Sequence, residues 1–179
     1  GSEVRLKYML GFYERSRQSE KEILSYAIEG AGAVTDSPLG YLAFLNDDET
    51  ELTMYAWSQN AMKECAMREK PIIYPVEKTG LWGDAVRHRR PVITNDYQAP
   101  NPGKKGYPAG HPHILRHMNV PIMDGDHIVM VAGVANKPSG YSEHDVSQLT
   151  LLMQALWQVL ERRRTEDELR AANEHLAAS

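Results

Sequence analysis

Cysteine is almost missing from this chain: 179 residues carry one, Cys65. A single thiol excludes a disulfide framework and any multi-cysteine zinc site. Long apolar runs are missing too. None approaches 18 residues, so no helix is expected to cross a membrane. The N-terminus lacks the basic stretch and apolar block of a signal peptide. There is no surplus of positive charge, since 20 Lys and Arg face 24 Asp and Glu for a net charge of -4. That balance argues against nucleic acid as a partner, because phosphate backbones call for a basic face. Phosphate-cradling loops (G-x-x-x-x-G-K-[ST], G-x-G-x-x-G) and the nucleophile elbow G-x-S-x-G are absent as well. A cytoplasmic location is the default expectation.

What is present is the composition of one folded domain, 42% hydrophobic and 25% charged. A chain of this size buries roughly 70% of its unfolded surface and needs no covalent staple. It opens on Gly1-Ser2 without a Met, which reads as the scar of an expression tag, and it stops within a helical pattern at Ala177-Ala178-Ser179. The expectation is a piece of a longer protein. Residues 1–18 form an N-terminal helix, 19–160 the main domain, and 161–179 a trailing signalling helix.

Leu6, Met9, Leu10 and Tyr13 mark one stripe of a first amphipathic helix. Ser19 with Glu22 forms a capping box for a second helix, which buries Ile23, Tyr26, Ala27 and Gly30 and ends at Gly30, Gly32 and Pro38. Leu39 to Leu45 is apolar on both alternating faces, the mark of a central strand covered on two sides. The returning strand, Leu52 to Ser58, sets Leu52, Met54 and Ala56 against Thr53, Tyr55 and Trp57. A short helix is expected to hold Met62, Cys65 and Ala66. Ile72–Pro75 reads as an edge strand, where proline is tolerated. Thr79 caps a helix through Leu81, Trp82, Ala85 and Val86, and Pro91 to Thr94 is another short strand. Residues 95–113, rich in Pro and Gly, form a long aperiodic loop of the kind used as a lid or binding loop. Asp124-Gly125 joins two long strands, Met118–Met123 and His127–Ala135. Ser142 opens the last helix, with Asp145 at the reciprocal capping position, Tyr141 and Val146 as staple, and Leu149, Leu152, Leu156 and Leu160 as its buried stripe. Past Leu160 only Leu169 and Leu176 are large and apolar, seven apart, and the gap from Leu160 to Leu169 breaks register with the preceding helix.

Two stretches carry a family resemblance. Gly80-Leu81-Trp82-Gly83-Asp84-Ala85-Val86 followed by Arg90-Pro91-Val92-Ile93-Thr94-Asn95-Asp96 resembles a run of GAF domains. Asn136-Lys137 with Tyr141 and Asp145 is similar to that family's ending. Over residues 19 to 160 the chain resembles GAF modules of bacterial signalling proteins, those upstream of histidine kinase or diguanylate cyclase domains. Cyclic-nucleotide-binding members carry a further acidic residue where this chain has Val146, so the resemblance points away from that ligand. It implies an α+β fold, related to profilin and PAS domains. An antiparallel sheet of about six strands has its terminal helices on one face, with short helices and loops forming a pocket on the other. It further implies a non-catalytic sensory domain of a two-component system that binds a small molecule. A homodimer through the terminal helices and an output domain downstream in the same chain follow, with no cofactor required.

The aromatic and polar residues expected to line the pocket are Tyr55, Trp57, Cys65, Tyr74, Trp82, Asn95, Tyr97, Arg116 and His117. Arg87, Arg89 and Arg90 offer positive charge near the strand entrance. Two alternatives stand beside this reading. One is a module that dimerises only, its pocket filled by Trp57 and Trp82. The other is a haem, metal or redox sensor using Cys65 or His111, His113 and His117, since imidazole suits zinc, iron or copper. Some GAF proteins reduce methionine sulfoxide with several cysteines, and here Cys65 has no resolving partner.

Overall fold

A computed structural model describes residues 2–57, 72–79, 83–97 and 114–178. Two helices, α1 (Ser2–Glu14) and α2 (Glu20–Thr35), lead into strands β1 (Leu39–Leu45), β2 (Glu51–Trp57) and β3 (Ile72–Pro75). A 3-10 turn over Val76–Lys78 and one helical turn, α3 (Asp84–Arg87), follow. Strands β4 (Val92–Thr94), β5 (His117–Asp124) and β6 (His127–Ala135) precede a 36-residue helix, α4 (Glu143–Ala178). The six strands form one antiparallel sheet in the order β3-β2-β1-β6-β5-β4. β1 and β6 are central, as their two apolar faces require, and β3 is an edge.

The helices α1, α2 and α4 cover one face. Their core takes Leu42 and Phe44 from β1, Met118, Val120 and Ile122 from β5, and Met130, Ala132 and Val134 from β6. Ser19 caps α2 by accepting the Glu22 amide at 3.2 Å. At the start of α4 the Asp145 carboxylate accepts the Ser142 amide at 3.0 Å, and Leu149, Leu152, Leu156 and Leu160 are all buried. The second face carries a smaller core of Ala43, Leu52, Met54, Ile128 and Val131, against which Val76, Ala85 and Val86 pack.

Several elements depart from simple periodicity. On α1 the stripe Leu6, Leu10, Tyr13 faces outward, each residue 54% exposed. Phe12, with Val4, Tyr8 and Met9, is the side that meets the core. An apolar stripe on a terminal helix does not by itself say which neighbour it faces. Helix α2 runs through Gly30 and Gly32 to Thr35 and ends at Asp36 in the left-handed region (φ 53°). The glycines serve close approach instead: a Cβ at Gly30 would lie 2.8 Å from the Tyr8 ring, and one at Gly11 would collide with Tyr26. The β5–β6 turn is Gly125-Asp126, one step later than the sequence pattern suggests. Asp124 pairs with His127, and Gly125 takes the positive φ (63°) at the first central position. Finally, α4 continues through Leu160 without a break, leaving Leu169 and Leu176 exposed.

Two register shifts change which residues share a face. Val129 is the extra residue opposite Ile122/Met123, so Ile128 and Val131 both serve the second face although three apart. On β2 the shift falls at Tyr55: Met54 pairs with Ala43 and Ala56 with Leu42. Alternation from Thr53 through Tyr55 to Trp57 is therefore interrupted. Tyr55 packs edge-on against Phe44 at 5.1 Å, on the helix-covered side, while Trp57 takes the ladder position opposite Tyr41.

Candidate functional site

The second face holds a polar track inside an otherwise apolar sheet. Tyr41 on β1, Gly133 on β6 and Asn119 on β5 are direct register partners across three strands. A Cβ at Gly133 would collide with the Tyr41 ring and with Asn119 Oδ1. Glycine there lets the Tyr41 side chain lie across the middle strand and donate its hydroxyl to Asn119 Oδ1. Glycine inside a strand commonly marks such a close approach. The Asn119 amide nitrogen then contacts His117 Nδ1 at 2.8 Å. Asn119 is 1% exposed and His117 7% exposed.

One end of the imidazole is unpaired. His117 Nε2 is buried without a hydrogen-bond partner among the described residues. A buried polar atom left unpaired costs about 1–3 kcal/mol, so such an atom calls for an explanation. Burial lowers the His117 pKa to about 4, and the Asp84 carboxylate opposes that shift only in part. The ring is neutral at neutral pH. Burial also holds the Tyr41 phenol well above its ordinary value, so it remains a hydrogen-bond donor.

Tyr97 supplies the wall. Its ring meets His117 edge-on at 5.2 Å, and its amide donates to the Leu115 carbonyl at 3.1 Å. Leu39, Ile114 and Ala135 complete an apolar cluster with it. Leu39, Ala135 and His117 form the register row beside Tyr41–Gly133–Asn119, so the apolar and polar parts of the site are adjacent by construction.

The other residues expected at the pocket separate into groups. Tyr97 and His117 come together. Tyr74 is half-buried at the far, β3 edge of the same face, where it packs on the Leu52 core. Tyr55 lies on the opposite face. Asn95 clamps the Tyr141 main chain: its amide oxygen accepts the Tyr141 N–H at 2.7 Å and its amide nitrogen donates to the Tyr141 carbonyl at 3.2 Å. Arg116 donates to the Lys137 carbonyl at 2.6 Å. Cys65, Trp82, His111 and His113, with the short helix expected around Met62 and most of the 95–113 loop, lie outside the described residues, as does the Trp57 side chain. Among the described residues no cluster of three potential metal ligands occurs, and no helix is long and apolar enough to cross a membrane. Arg87 and Arg89 hold the fold. Arg87 donates to the Val76 and Thr79 carbonyls at 2.8 Å and pairs with Asp84, and Arg89 pairs with Glu49 at 2.5 Å. Thr79, expected to cap a helix, instead donates its hydroxyl to the Val76 carbonyl at 2.7 Å and receives Arg87.

The Asn-Lys…Tyr…Asp motif ties the sheet to α4. Asn136 sits at φ 65°, donates its amide to the Arg116 carbonyl and accepts the Leu115 amide. Lys137 reaches Asp145 at 2.8 and 3.0 Å, an ion pair with the carboxylate 5% exposed. The Tyr141 hydroxyl meets Ser37 Oγ at 2.7 Å and accepts the Lys137 amide at 3.3 Å, and burial raises its pKa to about 12. The entry to β1, the exits of β4 and β6 and the first turn of α4 thus meet at one residue.

Tyr41, Asn119 and Gly133 were not among the expected site residues. The available signals were an asparagine inside the apolar run Met118–Ile122 and a glycine inside Val131–Ala135.

Comparison with known proteins agrees with this architecture. The model of the GAF domain matches residues 17–161. A methyl sulfide methyltransferase-associated sensor of Methanosarcina acetivorans is 50% identical over 173 residues, 97% of this chain, and the chain spans 17% of that relative's length. The GAF domain of a phosphoenolpyruvate-protein phosphotransferase from Coxiella burnetii has a TM-score of 0.70 at 13% identity, covering 94% of this chain and 99% of that one. The free methionine-R-sulfoxide reductase of Neisseria meningitidis, solved with its substrate, has a TM-score of 0.70 at 14% identity, covering 92% of this chain and 90% of that one. With the six-stranded antiparallel sheet, the helices on one face and the family model spanning most of its length, the chain belongs to the GAF domain family.

Proposed function

We propose that this chain is a non-catalytic sensory module of a larger signal-transduction protein, of the sensor histidine kinase type. It binds a small molecule on the sheet face away from the terminal helices and relays occupancy through α4. One observation carries the reading: His117 presents a buried, unpartnered Nε2 beside the Tyr97 ring on that face. Tyr97 and His117 form the described part of the site, and Trp57, Cys65, Tyr74 and Trp82 are its proposed further lining. Asn95 and Arg116 act one step back, through Tyr141 and Lys137. The sensor relative, of which this chain is a small part, supports a regulatory role within a longer protein.

The relay follows from the Tyr141 junction. Anything that moves Tyr97 pulls on the β4 exit, where Asn95 grips the Tyr141 main chain at the foot of α4. The exposed α1 stripe Leu6, Leu10 and Tyr13 and the exposed length of α4 beyond Arg164 are the proposed homodimer contacts. A ligand shifts such an arrangement only if it binds two states differently.

The test is a small-molecule screen by thermal shift, followed by inter-subunit distance measurements along α4 with and without a binder. A binder that changes the α4 spacing is the expected result. A confirmed binder that leaves the spacing unchanged defeats the relay. A screen with no binder, and a dimer intact, leaves a module that only dimerises.

The same imidazole favours a second reading, a haem, metal or redox sensor in which His117 acts with His111, His113 or Cys65. Its open nitrogen is of the type such groups use. A visible absorbance spectrum and metal analysis of the purified protein decide between the two.

A further inference from the structure

The hydrogen-bond track behind His117 fixes more than its position. Tyr41 has one hydroxyl proton, and it goes to Asn119 Oδ1. That leaves the Asn119 amide nitrogen facing His117 Nδ1 at 2.8 Å. An amide nitrogen only donates, so Nδ1 must accept. A neutral imidazole carries one proton, and with Nδ1 as acceptor that proton resides on Nε2. The orphan atom is therefore a donor.

The charges around the ring select further. Among the described residues, Asp84 is the charged group whose electrostatic effect reaches His117. The nearby Arg87 is committed to Asp84, Thr79 and Val76, and Arg116 to the Lys137 carbonyl. An anion placed against Nε2 would lose its hydration, be opposed by the Asp84 charge and find no uncommitted arginine among these. An uncharged acceptor avoids those costs.

From the Tyr41–Asn119–His117 geometry we infer that this face contains a subsite for an uncharged molecule with a hydrogen-bond acceptor oxygen, a carbonyl or its equivalent, received by His117 Nε2–H beside the Tyr97 ring. The inference rests on the reading that this face holds the ligand, and it names the chemical group recognised there. Tyr41 and Asn119 are positioning residues: they touch no ligand but decide which nitrogen offers the proton. With the Asn119 amide turned over, its oxygen would accept from Nδ1–H, Nε2 would become a bare lone pair, and the site would suit a metal instead.

Long-range proton–nitrogen NMR of the histidine-labelled chain reads the tautomer directly, with the His117 signals assigned by their loss in His117→Gln. The wild-type ring is expected in the Nε2–H form at neutral pH. N,N-dimethylacetamide, an acceptor with no donor, is the probe. It should move the His117 Nε2–H resonance saturably, and more readily than propionate does. Tyr41→Phe keeps the ring and frees the amide to turn, so a second, Nδ1–H signal should appear and the response to the probe should fall at least twofold. An Nδ1–H form in the wild type overturns the inference, as does a His117 resonance that dimethylacetamide leaves in place. A stronger response to propionate overturns the preference for an uncharged group. A molecule from the thermal-shift screen that binds without moving His117 removes this subsite while leaving the sensory reading standing. A screen without binders removes that reading itself.

Discussion

The two faces of the sheet are built on different principles. Beneath α1, α2 and α4 the core is a continuous set of large apolar side chains, from Phe12 and Ile23 through Met118 and Met130 to Leu152 and Leu156. The opposite face divides into two smaller apolar clusters with a polar row beside them, and that row ends in an unpaired nitrogen. Apolar burial gives cohesion and no specificity, although α4 also buries Gln148, whose Oε1 likewise has no hydrogen-bond partner among the described residues. Burial of a hydrogen-bonded row costs stability wherever a partner is missing, and it leaves an atom able to recognise something. The face that holds the termini is packed mainly by large apolar side chains, and the face away from them carries the proposed ligand subsite.

Substitutions should separate the faces by size of effect. Leu152→Ala, in the helix-side core, should destabilise by about 2–5 kcal/mol in chemical denaturation, because the surrounding layer cannot collapse onto the cavity. Acidification probes the other face. The unfolded chain's imidazole takes its proton near pH 6.5 and the folded His117 only near about 4. Between these values the unfolded state holds more protons, so the His117 contribution to stability falls as pH drops, by up to about 3 kcal/mol, and that contribution is flat above and below the window. In His117→Phe that part of the slope should vanish from denaturation curves recorded across pH. Gly133→Ala should cost about 1–3 kcal/mol, since the new methyl group must displace Tyr41 or Asn119. Its sharper signature is loss of the single His117 tautomer in NMR. Beyond both faces, Arg162→Ala removes a solvent-exposed pair with Glu166 on α4 and should change stability by less than about 0.5 kcal/mol. An effect as large as that of Leu152→Ala would mean that this stretch is packed in solution.

Much of the framework was legible in the residues. Ser19 caps α2 as expected, Asp145 reaches back to the Ser142 amide at the start of α4, and β6 spans the expected His127 to Ala135. These features depend on local chemistry: a side chain that reaches back three residues, or a period of two. Apart from the one-residue shift of the β5–β6 turn and the later end of α2, the departures are nonlocal. The stripe of α1 is legible as a stripe, but which side turns inward is set by Tyr8 and Phe12, whose packing depends on Gly11 and Gly30 leaving room for Tyr26 and Tyr8 across the two helices. Tyr55 was grouped with Trp57 because nothing in β2 announces the register shift opposite β1. Asn95 and Arg116 look like ligand contacts in isolation and prove to hold main-chain atoms of Tyr141 and Lys137.

The sequence by itself determined the helix caps, the strands and the family, because capping and alternation act over a few residues. It also marked Tyr97 and His117 as aromatic and polar residues at the two ends of a loop expected to line a pocket. Only the tertiary structure decided that Tyr41 reaches Asn119 over Gly133 and that His117 Nε2 is left open. Those three strands are adjacent in the sheet but far apart in the chain, and a hydrogen-bond row across them exists only once their register is set.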